Sequence, residues 1–273
     1  MAARRRLDAE LVRRGLARSR AHAAELIAAG RVKVRGFVAS KPAAGVDPAD
    51  PVLLVGDSDD YVSRGAHKLR GALDDFAAVG VGASGRRCLD AGASTGGFTD
   101  VLLRDGAKEV VAVDVGYGQL AWSLRTDDRV TVHDRTNIRH LGPDDIGGPA
   151  ELTVADLSFI SLRLVLPALT ACTSGDLVPM VKPQFEVGRD KVGSGGVVRD
   201  PVLRAEAVAE VIDAANRLGW RAVSVAPSKL PGPSGNVEFF CVLRRDGEAM
   251  LDDEVRDVVM SARVASDESR DAT

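Results

Sequence analysis

The chain has 273 residues, a length that indicates two domains, or one large domain with an appendage. With 45% apolar and 27% charged residues, its composition is that of a folded protein. The longest uncharged run, residues 164–175, is too short to span a bilayer, and no secretory leader pattern follows the first arginines. Three widely spaced cysteines in apolar stretches favour reduced, buried thiols, and no Cys/His cluster has metal-ligand spacing. We therefore expect a cytoplasmic protein with no metal and no membrane partner.

Positive charge is concentrated near the N-terminus. Between Arg4 and Lys41 there are eleven Lys and Arg residues against three acidic ones, whereas the whole chain has a net charge of −3. A basic segment in an otherwise acidic chain has an electrostatic reason to hold a polyanion. We therefore interpret the segment as a nucleic-acid-binding surface. The alternative is that these charges only keep a small domain soluble.

Two short helices and two strands are predicted within this segment. Three leucines fall near one helical face over residues 7–16, and Ser19 is a suitable N-cap for a second helix. Residues 31–35 alternate between cation and valine, which predicts a strand with both valines on one side and three cations on the other. A second strand over residues 51–55 completes a small α+β domain.

Few aromatic side chains accompany these cations, since only His22 and Phe37 are available to stack on bases. The pattern therefore favours contacts to the phosphates and the helix shape of structured RNA. The candidate RNA contacts are Arg4, Arg6, Arg18, Arg20, Arg31, Lys33 and Arg35.

From Tyr61 onward, strand and helix patterns alternate. Such alternation predicts an α/β domain with a seven-stranded, mostly parallel sheet covered by helices on both faces. The predicted strands cover residues 86–91, 109–114, 129–133, 151–155, 176–182, 220–226 and 236–244, and the predicted helices cover 97–105, 117–125, 161–173 and 201–218.

A glycine-rich turn follows the first of these strands. Such a turn lets the backbone approach a ligand at the carboxyl edge of the sheet, and Asp114 at the next strand end suits ribose hydroxyls. Ser94 stands where a dinucleotide site needs its second glycine, so S-adenosylmethionine fits better, with Asp90 and the loop amides holding its amino acid tail. The alternative is that the glycines only serve tight turns. The candidate cofactor-binding residues are Asp90, Gly92, Ala93, Ser94, Thr95, Gly96, Gly97, Phe98, Asp114 and Asp156.

Four charged side chains stand where an apolar sheet rarely places them. Asp156 and Lys182 each follow an apolar strand, Glu238 lies within an apolar run, and Lys68 lies on the helix that opens the domain. Ends of parallel strands meet in one cleft and buried charges need partners, so these four are the candidate catalytic residues. Taken singly, Lys68 and Glu238 are equally consistent with solvent-facing positions, and Asp156 with a helix cap.

Six stretches of the second domain carry a family resemblance: Tyr61–Leu69, Asp90–Asp100, Asp114–Leu120, Ala155–Ser161, Val181–Glu186 and Pro231–Glu238. Together they resemble the TlyA family, ribosomal RNA methyltransferases that are sometimes labelled haemolysins. The resemblance covers residues 5 to about 245. It implies a Lys-Asp-Lys-Glu catalytic tetrad, which Lys68, Asp156, Lys182 and Glu238 match without departure.

The same resemblance implies a domain order. An S4-type RNA-binding domain and linker would occupy residues 1–60, and an FtsJ-like methyltransferase domain with a Rossmann-like class I fold would occupy 61–250. A C-terminal helix and a disordered tail would follow over 251–273. The implied reaction is S-adenosylmethionine-dependent methylation of cytidine ribose 2′-hydroxyls in small- and large-subunit ribosomal RNA. The expected partner is ribosomal RNA or a ribosomal subunit, and the expected state is a monomer.

The tetrad predicts a mechanism. Because a sulfonium methyl group already has a good leaving group, the enzyme must mainly activate and align the ribose hydroxyl. A neutral Lys182 is the candidate base, since burial and the like charge of Lys68 both favour the uncharged amine. Asp156 and Glu238 would orient the lysines and the hydroxyl.

Three other functions remain open at this point. The chain could be a catalytically inactive RNA-binding protein, a membrane-damaging haemolysin or a nicotinamide-dependent reductase, although Ser94 disfavours the last. One segment is also open to two interpretations: the glycine-rich residues 187–200 are either a mobile cover that contacts RNA or a surface loop.

Overall fold

The structure, a computed structural model, describes residues 4–17, 19–55 and 61–262. The chain divides into two compact units, residues 1–60 and 61–273. Arg18, the acidic residues predicted as a linker at 57–60 and the predicted tail beyond 262 lie outside the described residues.

The first unit packs two short helices against short strands. Its elements are β1 (Arg5–Arg6), α1 (Leu7–Arg13), α2 (Arg20–Ala28), β2 (Val32–Val34), β3 (Phe37–Val38), β4 (Gly45–Val46) and β5 (Val52–Leu54). The strands form an antiparallel sheet in the order β3-β2-β5 and a β1-β4 pair. The predicted cap is confirmed, because Ser19 Oγ accepts a hydrogen bond from the backbone N–H of His22 at 3.1 Å. A core of leucine, isoleucine and valine holds the unit together.

The predicted strand over residues 31–35 is too long. The strand ends at Val34, which pairs with Phe37, so only Arg35 and Gly36 lie in the loop between them. Both loop residues have positive φ, +51° and +87°. A two-residue hairpin loop of this kind matches the twist of the flanking strands, and it takes Arg35 out of the strand face.

The second unit is an α/β domain built on a seven-stranded sheet, as predicted. Its strands are β6 (Arg87–Ala91), β7 (Glu109–Val113), β8 (Val130–His133), β9 (Ala150–Ala155), β10 (Thr173–Val181), β11 (Arg221–Pro227) and β12 (Phe239–Arg244). They lie in the order β11-β12-β10-β9-β6-β7-β8, with β12 antiparallel to both of its neighbours. The five strands from β10 to β8 are parallel, which puts their carboxyl ends at one edge of the sheet.

Helices cover both faces of this sheet. They are α3 (Gly65–Asp75), α4 (Gly97–Arg104), α5 (Trp122–Arg125), α6 (Leu162–Ala171), α7 (Pro183–Glu186), α8 (Pro201–Arg217) and α9 (Asp252–Ser261). One core contains side chains of α6, α8 and α9, and the other contains side chains of α3 and α4. Consecutive strand residues such as Val110 and Val111 contribute to opposite cores, as the pleat requires.

Three predicted elements of the second unit differ from the structure by three residues or more. The helix predicted over 117–125 is only the four residues of α5, the strand predicted over 176–182 already begins at Thr173, and the strand predicted over 236–244 begins at Phe239. The apolar side chains Leu120 and Leu124 are buried as a helix pattern requires, but Gly118 has φ +65° and residues before α5 form a loop. The sequence pattern therefore predicted correctly which side chains are buried, but it did not predict that much of the backbone carrying them is a loop.

Candidate active site

The candidate catalytic residues lie at the carboxyl edge of the sheet. Asp156 directly follows β9 and Lys182 directly follows β10. Across the antiparallel pair of β10 and β12, Val181 is the register partner of Phe239. Lys182 and Glu238 are therefore the next residues beyond that pair, one after the end of β10 and the other before the start of β12.

Lys182 forms an ion pair with Asp156. Lys182 Nζ lies 2.5 Å from Asp156 Oδ1 and donates a hydrogen bond to Ser158 Oγ at 2.9 Å. The lysine is buried, whereas Asp156 is partly exposed. A buried ammonium needs such partners, because isolated charges are costly to remove from water.

Lys68 forms a second ion pair, with Glu238. Lys68 Nζ donates to Glu238 Oε2 at 2.5 Å, and Glu238 is completely buried. The backbone of Gly232 packs against this carboxylate so closely that a Cβ at position 232 would lie 2.2 Å from Glu238 Oε1. The solvent-facing alternatives for Lys68 and Glu238 are therefore wrong. The structure joins the four predicted residues as two ion pairs, in which Lys68, Lys182 and Glu238 are buried and Asp156 is partly exposed.

Two glycines of the turn after β6 have a positive φ, and at Gly92 close packing against backbone excludes a side chain as well. Gly92 has φ +91°, and a Cβ there would lie 2.4 Å from the backbone oxygen of Asp156. Gly96 has φ +96°, and a Cβ there would lie 2.3 Å from Leu124 Cδ1. At Gly92 the turn therefore packs directly on the chain that carries Asp156.

Asp90 is buried beneath this turn. Thr99 Oγ1 donates to its Oδ2 at 2.6 Å, while Oδ1 has no hydrogen-bond partner among the described residues. Burial raises the pKa of Asp90 from 3.8 to about 7, against the opposing effect of the Thr99 hydrogen bond. A buried carboxylate oxygen without a partner is a suitable acceptor for a ligand ammonium.

Asp114 is held by backbone amides at the end of β7. Its Oδ2 accepts from the N–H of Ser94 at 2.8 Å, and its Oδ1 accepts from the N–H of Gly116 at 2.6 Å. A cavity of about 500 Å³ lies beside the turn, within the usual size of small-molecule sites. Its lining includes Gly92, Ser94, Asp114, Asn137, Asp156 and Ser158.

The remaining predicted cofactor residues divide into two groups. Ala93, Phe98, Gly96 and Gly97 are buried, and the ring of Phe98 lies 6.0 Å from that of Phe240 in the core beneath α3 and α4. Thr95 is exposed. Phe98 therefore packs in the core and contributes to the turn as a structural side chain.

Sequence analysis missed three side chains of the site. Ser158 lines the cavity, and Phe159 beside it has φ +64° and a side chain that is 92% exposed. The Phe159 ring lies 5.3 Å from the ring of Phe185, on the segment that follows Lys182. A bulky residue in the left-handed region is strained, and such strain is concentrated at functional sites. In the sequence, the two rings could have been noticed because Phe159 and Phe185 follow Asp156 and Lys182, respectively, by three positions.

The segment over residues 187–200 is anchored at its C-terminal part. Val197 and Val198 are buried, and Asn236 Oδ1 accepts from the N–H of Val198 at 3.0 Å. Asn236 Nδ2 donates to the backbone oxygen of Gly196 at 2.8 Å. This part of the segment is therefore tied to the loop that carries Glu238.

Several cations of the first unit are held by the acidic side chains Asp8 and Asp50, of which sequence analysis counted Asp8 only as opposing charge. Asp8 accepts hydrogen bonds from both Arg6 and Arg20, and the Arg6 guanidinium holds the pKa of Asp8 well below its usual range. Arg35 donates to Asp50 at 2.6 Å. Arg4 is exposed, Arg31 and Lys33 are half-buried, and Arg18 lies outside the described residues.

Two classes of feature are absent from the part of the chain that the structure describes. No helix there is long and apolar enough to cross a membrane. No group of three or more His, Cys, Asp or Glu side chains there could hold a metal ion.

Comparison with known proteins identifies both units. Residues 61–245 match the FtsJ-like methyltransferase family, and residues 5–52 match the S4 domain. The chain is 61% identical to the 16S/23S rRNA (cytidine-2′-O)-methyltransferase TlyA of Mycobacterium tuberculosis, over 92% of this chain and 94% of that protein. It is 35% identical to Hemolysin A of Brachyspira hyodysenteriae, over 86% of this chain and 97% of that protein.

A solved structure has the same architecture. A hemolysin-named protein of Streptococcus thermophilus superposes with a TM-score of 0.68 and 36% identity, covering 95% of each chain. The chain therefore belongs to the TlyA family, with an S4 domain followed by an FtsJ-like methyltransferase domain.

Proposed function

We propose that the chain transfers a methyl group from S-adenosylmethionine to cytidine ribose 2′-hydroxyls in small- and large-subunit ribosomal RNA. The observation that carries this proposal is the two ion pairs, Lys182 with Asp156 and Lys68 with Glu238, at the carboxyl edge of the sheet. The name and the 61% identity of the Mycobacterium tuberculosis relative support the substrate. An inactive RNA-binding protein would have no need to keep Lys68, Lys182 and Glu238 buried.

The residues around the cavity fit S-adenosylmethionine. Asp90 offers a buried oxygen without a described partner to the ammonium of the amino acid tail, and Gly92 leaves no room for a side chain at the turn. Asp114, fixed by two backbone amides, is available to the ribose hydroxyls of the adenosine. When bound, this cofactor supplies a methyl group on a positively charged sulfur, so no metal is required for the chemistry.

Within the tetrad, Lys182 is the group that takes up the ribose proton. Asp156 holds the Lys182 amine in place, and the Lys68–Glu238 pair fixes the neighbouring strand end. Alignment of the hydroxyl contributes to the rate together with proton removal.

The S4 domain supplies affinity for the RNA. Arg4, Arg6, Arg20, Arg31, Lys33 and Arg35 are the proposed contacts of its described part, and Arg18 is proposed on the sequence alone. Asp8 and Asp50 hold three of these guanidiniums in fixed positions, which suits contacts to phosphates at fixed spacing. We further propose that the protein acts as a monomer on ribosomal subunits in the cytoplasm.

Methyl transfer from labelled S-adenosylmethionine to purified ribosomal subunits tests the proposal. We expect label in both ribosomal RNAs, as 2′-O-methylcytidine after nuclease digestion. Label in protein, on a base, or in neither RNA would contradict it.

A further inference from the structure

The hydroxyl of Ser158 lies between the buried base candidate and the cavity. Its Oγ accepts a hydrogen bond from Lys182 Nζ at 2.9 Å, while the residue is exposed and lines the cavity. The Lys182 side chain is only 8% exposed. A substrate hydroxyl that enters from the cavity therefore has easier access to the serine oxygen than to the lysine nitrogen.

The nitrogen of Lys182 has two polar partners. Asp156 Oδ1 lies 2.5 Å from it as the partner in an ion pair, and Ser158 Oγ is its hydrogen-bond partner. A hydroxyl can donate one hydrogen bond and accept others at the same time. Ser158 is therefore able to bond to Lys182 and to a ribose hydroxyl simultaneously.

The loop that carries Ser158 is fixed at both ends. The N–H of Asp156 donates to the backbone oxygen of Ala91 at 3.0 Å. At the far end, Glu186 accepts from Ser161 Oγ at 2.5 Å and from the N–H of Leu162 at 2.7 Å. Because Glu186 lies just after Lys182, the loop and the lysine are tied to the same helical turn, and the serine oxygen has a defined position relative to the amine.

We propose that Ser158 is a further catalytic residue, which carries the proton of the ribose 2′-hydroxyl to Lys182. This assignment rests on the proposed methyl transfer to a ribose hydroxyl. It adds one residue to the tetrad. It also lets Lys182 receive the proton of a ribose hydroxyl that does not contact the amine directly.

The step starts from Lys182 as the neutral amine, so the hydrogen bond between Lys182 Nζ and Ser158 Oγ must then run the other way, with the Ser158 hydroxyl donating to the nitrogen. The 2′-O–H bond breaks and its proton goes to Ser158 Oγ, while the proton of the Ser158 hydroxyl goes to the lone pair of Lys182 Nζ. The ribose oxygen forms the new bond to the methyl carbon as the carbon–sulfur bond breaks and its electron pair stays on sulfur. Positive charge is thus lost at sulfur and gained at Lys182, which later releases its proton to water.

Two substitutions distinguish the effect of the Ser158 hydroxyl from the effect of side-chain size. Ser158→Ala removes the hydroxyl, whereas Ser158→Thr keeps it. Ser174→Ala is the matched control, because Ser174, near the start of β10, likewise makes one hydrogen bond through its hydroxyl, which it donates to the backbone oxygen of Ala150. Each variant is assayed by single-turnover methyl transfer to ribosomal subunits and by calorimetric binding of S-adenosylhomocysteine.

We expect Ser158→Ala to lower the single-turnover rate about a hundredfold, in the range of general acid–base contributions, with cofactor affinity unchanged. Ser158→Thr, which keeps a hydroxyl, should retain most of the rate that Ser158→Ala loses, and Ser174→Ala should react like the wild type. The rate is also measured in mixtures of light and heavy water. For the wild type, a plot of rate against deuterium content should be curved, because two protons move in the step. For the residual rate of Ser158→Ala, the same plot should be linear.

Three outcomes would overturn the relay: a wild-type rate in Ser158→Ala, an equal loss in Ser158→Thr, or a linear deuterium dependence in the wild type. In each case the wild-type protein still methylates ribose, so the proposed function stands. A wild-type protein that places no methyl group on ribose refutes both proposals together.

Discussion

The amine of Lys68 donates a hydrogen bond to Glu238 at 2.5 Å, although 170 positions separate the two residues. Lys68 lies on the first helix of the second unit, and Glu238 directly precedes the strand β12. This one contact therefore joins the beginning of the methyltransferase domain to its last strand. Because Glu238 is fully buried, we expect the contact to contribute to the stability of the fold.

Lys68→Met should destabilise the protein by about 3–5 kcal/mol, because it leaves a buried carboxylate without its cation. Lys68→Met combined with Glu238→Gln should recover most of that loss, since the uncompensated charge is then removed. Urea unfolding followed by circular dichroism measures both free energies.

Lys229→Met is the control for this comparison. Lys229 forms a similar ion pair with Asp75 at 2.6 Å, but its side chain is half exposed. Its loss should change the free energy of unfolding by no more than about 1 kcal/mol. Equal effects of the two single substitutions would show that burial of the Lys68–Glu238 pair has no energetic consequence.

Gly92→Ala should cost more stability than Gly80→Ala. Both glycines have positive φ, +91° and +75°, so both substitutions impose the left-handed penalty of about 1–2 kcal/mol. Only at Gly92 would the new methyl group meet backbone, 2.4 Å from the oxygen of Asp156, whereas nothing lies within 4 Å at Gly80. Thermal unfolding compares the two variants, and methyl transfer should fall only in Gly92→Ala. If the two variants lost the same amount of stability and the same amount of methyl transfer, the close approach of Gly92 to Asp156 would not be the cause of the losses.

The raised pKa of Asp90 predicts a specific dependence of stability on pH. In the folded protein burial raises this pKa to about 7, from 3.8. Between those values the folded state binds one proton more than the unfolded state, so the free energy of unfolding falls as pH rises through the window. Asp90→Asn lacks this dependence. From about pH 5 to about pH 8 the wild type should lose roughly 3 kcal/mol relative to Asp90→Asn.

The same ionisation should govern cofactor binding. An ionised Asp90 attracts the ammonium of the amino acid tail more strongly than a protonated one, so S-adenosylhomocysteine should bind more tightly as pH rises through about 7. Calorimetric titrations of the wild type and of Asp90→Asn measure this directly. If the two proteins showed the same dependence of affinity on pH, Asp90 would not be the residue that binds the ammonium group.

Lys33→Ala should weaken RNA binding and reduce its salt dependence. Lys33 is the central residue of β2, and a cation that contacts one phosphate contributes about one unit to the slope of log affinity against log salt. Arg256→Ala, which removes one exposed cation from α9, is the control. Filter binding to ribosomal RNA at several salt concentrations compares the slopes. If Arg256→Ala lowers the slope as much as Lys33→Ala does, the S4 surface has no special role.

Sequence patterns predicted the sheet and the strand ends because both follow from local rules. Apolar strands alternating with helices define a parallel sheet, and a charge after each strand must then lie at its carboxyl edge, as Asp156 and Lys182 do. The burial of Glu238 could not be predicted in this way. It depends on the approach of Lys68 and on the close packing of Gly232, which are distant in sequence or lie in an irregular loop.

The ion pairs of the S4 domain were missed for a similar reason. A count of charges treats Asp8 as a reduction of the positive field, whereas folding buries it and uses it to position Arg6 and Arg20. Ser158 was missed because serine in a loop carries no pattern, and only its distance to Lys182 distinguishes it. Contacts between loops are set by tertiary packing, which periodicity does not contain.

The most direct measurement of the central claim is a map of 2′-O-methylated positions in ribosomal RNA after incubation of unmethylated subunits with the wild type or with Lys182→Ala. We expect the wild type to add 2′-O-methyl groups at cytidines and Lys182→Ala to add none, while both proteins bind S-adenosylhomocysteine and RNA equally well. Wild-type turnover by Lys182→Ala, or methyl groups on bases instead of ribose, would contradict the account.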